Sequence, residues 1–479
     1  MNVSLVLLVV FLALMTSIGV WSMKKTKNLN DFFLGGRTLG PWISAATYGT
    51  TYFSAVIFIG FAGTQGWQFG LNALWIALGN GLIGACTAWL VLARRTRRMT
   101  QNLNAMTMPE FLQERYGAKH LKPIAALIVF LFLLPYSASV FRGLGFLFQE
   151  GFGIHFDAAL LIIVAFTGIY LILGGYFAVA FTSFVQAIIM FAGALAIVFV
   201  VTAPEGGVFG IVSRIAENYN AHIPLQARPS ALTIASLVFM TSFGVWGLPQ
   251  MTQRFYSIKN ESIIPKATIV TTVFALVIGF SAYYTGAASH VFFDLNTIPR
   301  NEAGSIIFDR IVPILFTQRL PQLLMALILL LILSASMSTL SSLVLVSSSA
   351  VAIDLFRSRS VSMMRILSAV FIIVSFFISR FQFSIIVYLM SLSWGLVSGA
   401  FAAPYILGLY SKRVTKAAAY SGILTGVAVM TVLFFVLGQS NSPLSASIAI
   451  IAPFVSVFVV SMLTQPPEKE IIDKAFSGV

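Results

Sequence analysis

The sequence predicts an all-α polytopic membrane protein with about thirteen transmembrane helices. Three observations predict it: 58% hydrophobic residues against 9% charged, a mean hydropathy of +0.93, and apolar runs of about 20 residues that recur with short polar segments between them. A helix of that length crosses the hydrocarbon layer with its backbone hydrogen bonds satisfied internally. The spans are expected over residues 2–22, 42–63, 72–93, 122–141, 157–175, 177–202, 231–249, 267–288, 321–353, 365–379, 382–409, 417–437 and 445–463. The 479 residues leave no long polar stretch for a soluble domain, so function must reside among the helices.

The net charge of +14 is a topology signal. Alternate loops hold twenty-two basic residues, among them Lys24, Lys25, Lys27, Arg37, Arg94, Arg95, Arg97, Arg98, Arg254, Lys259, Lys266 and Arg359, while the other loops hold seven, together the 29 Lys and Arg. By the positive-inside rule the richer set is cytoplasmic, with the N-terminus outside and the C-terminus inside. Anionic lipid headgroups are the expected contacts of the basic surplus, nucleic acid is not, and no obligate protein partner is implied. Residues 1–22 lack a positively charged start and a small-residue cleavage site, and their lysines follow the apolar run, so they read as an outward-starting helix. Cys86 stands alone, which excludes an internal disulfide and a multi-cysteine metal site.

The 15 acidic residues and four histidines fall at span ends or in loops. A proton-coupled carrier ordinarily keeps an Asp, Glu or His within the membrane, so their placement weighs against one. No HExxH, nucleophile elbow or P-loop pattern occurs, and no enzyme is expected. A monovalent cation needs none of these groups: carbonyls freed at a broken helix, with Ser and Thr hydroxyls from a facing helix, can replace its water shell.

The ninth span, "LILSASMSTLSSLVLVSSS" (331–349), carries such hydroxyls. At 100° per residue, Ser338 and Thr339 project near the boundary of two adjoining faces, with the small Ala335 one turn away to admit another backbone. Most of the remaining hydroxyls are expected to line helix contacts or to bond their own carbonyls. Two other spans carry breaks: the second, with Gly49, Thr50, Thr51, Gly60 and Gly63, and the seventh, with Gly244, Gly247 and Pro249. Glycine loosens the helical ladder and proline removes a donor. Broken spans heading two blocks of five helices, 41–202 and 231–409, are the mark of an inverted-repeat transporter. The first helix (1–22), the last two (417–463) and a cytoplasmic tail (464–479) complete a single transmembrane domain.

Four stretches resemble the solute:sodium symporter family over most of the chain: "NLNDFFLGGRTLGPW" (28–42), "GGYFAVAFTSFVQAIIM" (174–190), "FGVWGLPQMTQRFYSIKN" (243–260) and "ASMSTLSSLVLVSSSAVAIDLF" (335–356). The resemblance implies a LeuT-like five-plus-five inverted-repeat core and sodium as the coupling ion. Carried over by position, it implies sodium ligands at the carbonyls of Thr50, Phe53 and Ala335 and the hydroxyls of Ser338 and Thr339. Ser183 stands where many members have an acid. The "GLP" form of the seventh span is similar to pantothenate-type and monocarboxylate-type members.

The expected function is therefore sodium-coupled import of a small organic solute, a carboxylate among the candidates, across a bacterial inner membrane by alternating access. The alternatives are a proton-coupled or exchange carrier, or a non-transporting sensor or interaction subunit on the same fold. No buried Arg or Lys is expected beside the solute, so a carboxylate would rest on helix N-termini and amides. The solute-side candidates are Tyr52, Ser54, Trp246, Gly247, Pro249 and Gln250. The outer loops 203–230 and 289–320 are candidates to cap the pathway.

Overall fold

The computed structural model describes residues 3–23, 33–319, 321–358, 360–381 and 384–479 and is all-helical in its regular structure. Lys24, Lys25, Lys27, Arg359 and residues 28–32 of the loop before the second span lie outside the described residues.

Among the described residues, ten helices are long and apolar enough to cross a membrane. Helix covers most of the described length of the expected segments, but it is grouped differently from the thirteen spans expected. The second and third run into one long stretch from Val56 to Asn102, while the first and fifth are shorter apolar helices, Val6–Ser22 and Phe156–Ala165. The fifth and sixth spans, expected as separate helices, are contiguous in helical backbone over Phe156–Thr202. No polar segment separates them in the sequence, so nothing there interrupts the backbone ladder.

The second and seventh spans are broken. The second runs as Pro41–Tyr52, leaves helical geometry at Phe53 (φ −107°, ψ 129°) and resumes through a π-helical turn, Val56–Phe61, into Ala62–Phe69. The seventh runs as Ala231–Ser242, passes through a short 3₁₀ turn at Gly244–Gly247, becomes extended at Leu248 and restarts as Pro249–Tyr256. Proline is suited to that restart, because the first position of a helix needs no N–H.

The loops rich in Lys and Arg gather at one end of the molecule. Arg97 Nε donates to Ile258 O at 2.7 Å, Arg115 Nε to Gly408 O at 2.8 Å, Asn102 Nδ2 to Ala475 O at 3.1 Å, and Arg413 Nη2 to Thr464 O at 2.8 Å. At the other end ion pairs join Arg142 to Asp309 (3.3 Å), Arg310 to Glu150, and Arg380 to Asp157 (3.3 Å).

Two loop helices, Gly207–His222 and Phe308–Arg319, meet the second half of the second span, Tyr219 Oη of the first donating to Gln68 O at 3.0 Å. Trp67, near the end of that half, stacks on His290 at 4.1 Å and on His222 at 5.4 Å. His290 Nε2 lies 2.9 Å from Trp67 O, so it must be the donor, and its Nδ1 accepts from His222 Nδ1 at 3.0 Å. The residue preceding Trp67, Gly66, lies backbone to backbone against Gly286 of the eighth span, Ile264–Phe292. A Cβ on Gly286 would lie 1.9 Å from Ala62 O, so only glycine admits this approach.

Gly286→Val is expected to cost roughly 1–3 kcal/mol through forced separation of the two helices, read as a lower melting midpoint of the purified protein. Acidification should also loosen the outer stack. Burial holds the His222 imidazole below its ordinary value against an opposing pull from Asp294. Its contribution is therefore present above about pH 6.5 and is lost as pH falls toward the lowered folded value. The melting midpoint should drop between pH 7.5 and 5, and His222→Gln should flatten that dependence.

Candidate ion and solute site

Helix ends leave their last carbonyls without intrahelical donors. At the second-span break the N–H of Ala55, which a continuous helix would direct at Thr51 O, goes instead to Ser336 Oγ at 3.0 Å. The freed carbonyls face the ninth span, Gln322–Ser349. Thr339 Oγ1 lies 3.4 Å from Thr50 O, 3.2 Å from Thr51 O, 3.5 Å from Phe53 O and 3.1 Å from Ala335 O. One hydroxyl has one hydrogen and can satisfy one of these four oxygens. The others remain negative ends of dipoles turned toward a fully buried point, which suits a small cation.

Ser338 completes the cluster: its Oγ is 2.7 Å from Thr50 Oγ1 and 2.9 Å from Ser183 Oγ. Ser183 thus touches the same cluster. Most of the other ninth-span hydroxyls bond carbonyls of their own helix, while Ser334 Oγ and Ser347 Oγ have no partner among the described residues. Ser341 and Ser342 bond the carbonyls of Met337 and Ser338, and Ser348 and Ser349 bond those of Val344 and Val346. Ser336 bonds Ile332 O while capping Ala55.

The solute-side candidates separate on inspection. Tyr52 spans from the second to the seventh span, its hydroxyl donating to Thr241 O at 2.6 Å. Trp246 Nε1 donates to Ile83 O at 3.2 Å, and its ring lies 4.7 Å from that of Phe243. Gly247 lies against the eleventh span, where a Cβ would stand 2.9 Å from Ala402 N, so its bareness serves close packing. Ser54 Oγ accepts from Val56 N at 3.2 Å. Pro249 opens the inner half of the seventh span, and Gln250 beside it is 1% exposed with no partner for its Oε1 among the described residues.

Sequence reading missed two aromatics beside the seventh-span break. Tyr136 of the fourth span packs edge-on against Trp394, ring centroids 5.8 Å apart. Trp394 in turn abuts Gly244 at the seventh-span break, and its Nε1 has no partner among the described residues. Neither is marked by local sequence, because an aromatic in an apolar span is ordinary. The carbonyl of Thr51 was also missed. One expectation is corrected: Arg254, read as a loop residue, is a helical residue 1% exposed, so its guanidinium is buried inside the protein. The seventh span restarts after its break and carries its helix, with Arg254, in among its neighbours.

Comparison with known proteins follows this geometry. The model of the Sodium:solute symporter family matches residues 32–426. The High-affinity proline transporter PutP of Bacillus subtilis is 30% identical over 472 residues, covering 96% of this chain and 98% of that protein. The Osmoregulated proline transporter OpuE of the same organism is 30% identical over 480 residues, covering 96% and 94%. Among solved structures, a Na+-coupled sialic acid symporter aligns with a TM-score of 0.76 at 19% identity, covering 97% of this chain and 98% of that one. Mhp1, a nucleobase-cation-symport-1 family transporter, aligns at 0.55 and 15% identity, covering 93% and 97%. The fold is thus that of the LeuT-like transporters, and the chain, a multi-pass membrane protein, belongs to the sodium:solute symporter family as a sodium-coupled carrier of a small organic solute.

Proposed function

We propose that the coupling sodium is held by the carbonyls of Thr50, Phe53 and Ala335 and the hydroxyls of Ser338 and Thr339, with Thr51 O turned to the same point. The convergence of four carbonyl oxygens on the single hydrogen of Thr339 carries this reading. The solute is a small amino acid or a related carboxylate lying between the two helix breaks, near Ser54, Tyr136, Trp394 and Gln250. Its carboxylate faces the N-terminal end of Pro249–Tyr256, where the helix dipole and Gln250 favour negative charge. The proline named for both relatives supports this class, whereas the "GLP" form of the seventh span points to pantothenate and monocarboxylates.

The Lys- and Arg-rich end is cytoplasmic, the N-terminus is outside, and the protein resides in a bacterial inner membrane with anionic lipid along its basic rim. A neutral zwitterion moving with one sodium gains about 2.3 kcal/mol per 100 mV, and a tenfold sodium gradient adds roughly 1.4 kcal/mol. A monoanion moving with one sodium would lose the voltage part.

Sodium, against choline at equal ionic strength, should raise the melting midpoint of the purified protein by linkage. In Thr339→Ala the half-effective sodium concentration should rise several-fold, the effect of about 1 kcal/mol from one lost contact. An unchanged sodium dependence in a folded Thr339→Ala variant would remove Thr339 from the site. In proteoliposomes, an imposed inward sodium gradient should drive accumulation of labelled proline above the level reached with potassium. Accumulation of pantothenate or lactate in its place would move the solute class to the monocarboxylates, and accumulation driven by a proton gradient alone would overturn sodium coupling.

A further inference from the structure

Thr51 Oγ1, on the inner half of the second span, and Ser342 Oγ, on the ninth, lie 3.1 Å apart. Each hydroxyl has a carbonyl of its own helix for its hydrogen, Thr47 O at 2.6 Å and Ser338 O at 2.9 Å. Two oxygen lone pairs therefore face a common gap between the same helices that frame the ion ligands. Burying them costs free energy unless an N–H group or a cation lies between. Arg254 supplies it: Nη2 is 2.9 Å from Thr51 Oγ1 and donates to Ser342 Oγ.

The rest of this guanidinium is held for its charge and not for a counterion. Its Cζ stands 5.2 Å above the ring of Tyr176, and Nε and Nη1 have no partner among the described residues. No carboxylate pairs with it among the described residues. Ser342 follows Ser338 by one helical turn, so the positive group sits about 5–7 Å inward of the ion ligands. Ser183, at the edge of the ion cluster, brings no negative charge to offset it.

We propose that the Arg254 guanidinium is a tethered cation: it fills a second monovalent-cation position formed by Thr51 and Ser342, so that the chain binds one sodium ion where the oxygens provide places for two positive charges. The inference rests on the sodium reading above and adds the number of ions to it. Because the fixed charge repels the bound sodium across a turn of helix, it also weakens sodium binding and favours release toward the inner side.

Equilibrium binding of radioactive sodium to the purified full chain tests this without knowledge of the solute. The wild type should bind one ion per chain. Arg254→Gln, which keeps an N–H donor and loses the charge, should bind sodium at least about tenfold more tightly, the scale of one unit charge at this distance. Arg254→Lys should return the Kd toward the wild-type value. Arg254→Ala, which empties the position, should bind a second ion. Two ions per wild-type chain would overturn the tethered cation while leaving the sodium site standing. A folded Arg254→Gln variant with unchanged or weaker binding would also overturn it, since a merely structural bridge gives that result. If the wild type bound no sodium at all, the sodium reading itself would fail.

Discussion

Everything in this structure turns on one mismatch between hydrogens and oxygens. The second span stops being a helix at Phe53, and its freed carbonyls meet a ninth-span threonine that can satisfy one of them. In hydrocarbon an unmet carbonyl costs several kcal/mol. A broken helix at this depth is tolerable where something else completes it. The Ala55 N–H is completed by Ser336 and the carbonyl side partly by Thr339, which leaves a place for a positive charge.

The surrounding packing holds that mismatch in register. Ala335 and its small neighbours let the ninth span come within hydroxyl reach of the second, and glycine pairs such as Gly66 and Gly286 let the outer half approach the eighth span with no side chain between. The two broken spans are tied together where the Tyr52 hydroxyl of the second donates to Thr241 O of the seventh at 2.6 Å. Alternating access needs this coupling: the halves of a broken helix move about a fixed centre while ion and solute stay between them.

Charge is spent sparingly and in places that differ in purpose. The outer pair of Arg142 and Asp309 is buried, and desolvation pushes the Asp309 carboxyl up against the opposing pull of Arg142. Such a pair holds the outer helix Phe308–Arg319 in place more than it adds stability. Arg254, by contrast, is bonded to hydroxyls instead of a carboxylate. The proposed ion site thereby relies on dipoles alone.

Hydropathy and basic-residue asymmetry suffice for the class and for which loops share an end, because lipid imposes them on every span separately. Gly and Pro mark both breaks for the same reason: a backbone interruption is a local event. The positions of Ser338 and Thr339 on one side of the ninth helix also follow from helical spacing. Only tertiary structure decides which hydroxyl meets which carbonyl. Ser341 and Thr339 look alike in sequence, yet Ser341 bonds only its own helix while Thr339 also reaches three carbonyls of the second span, since that depends on the register of a partner nearly 300 residues away. The same holds for Tyr136, Trp394 and Arg254, whose roles come from the neighbours that packing brings to them and not from any pattern within their own spans.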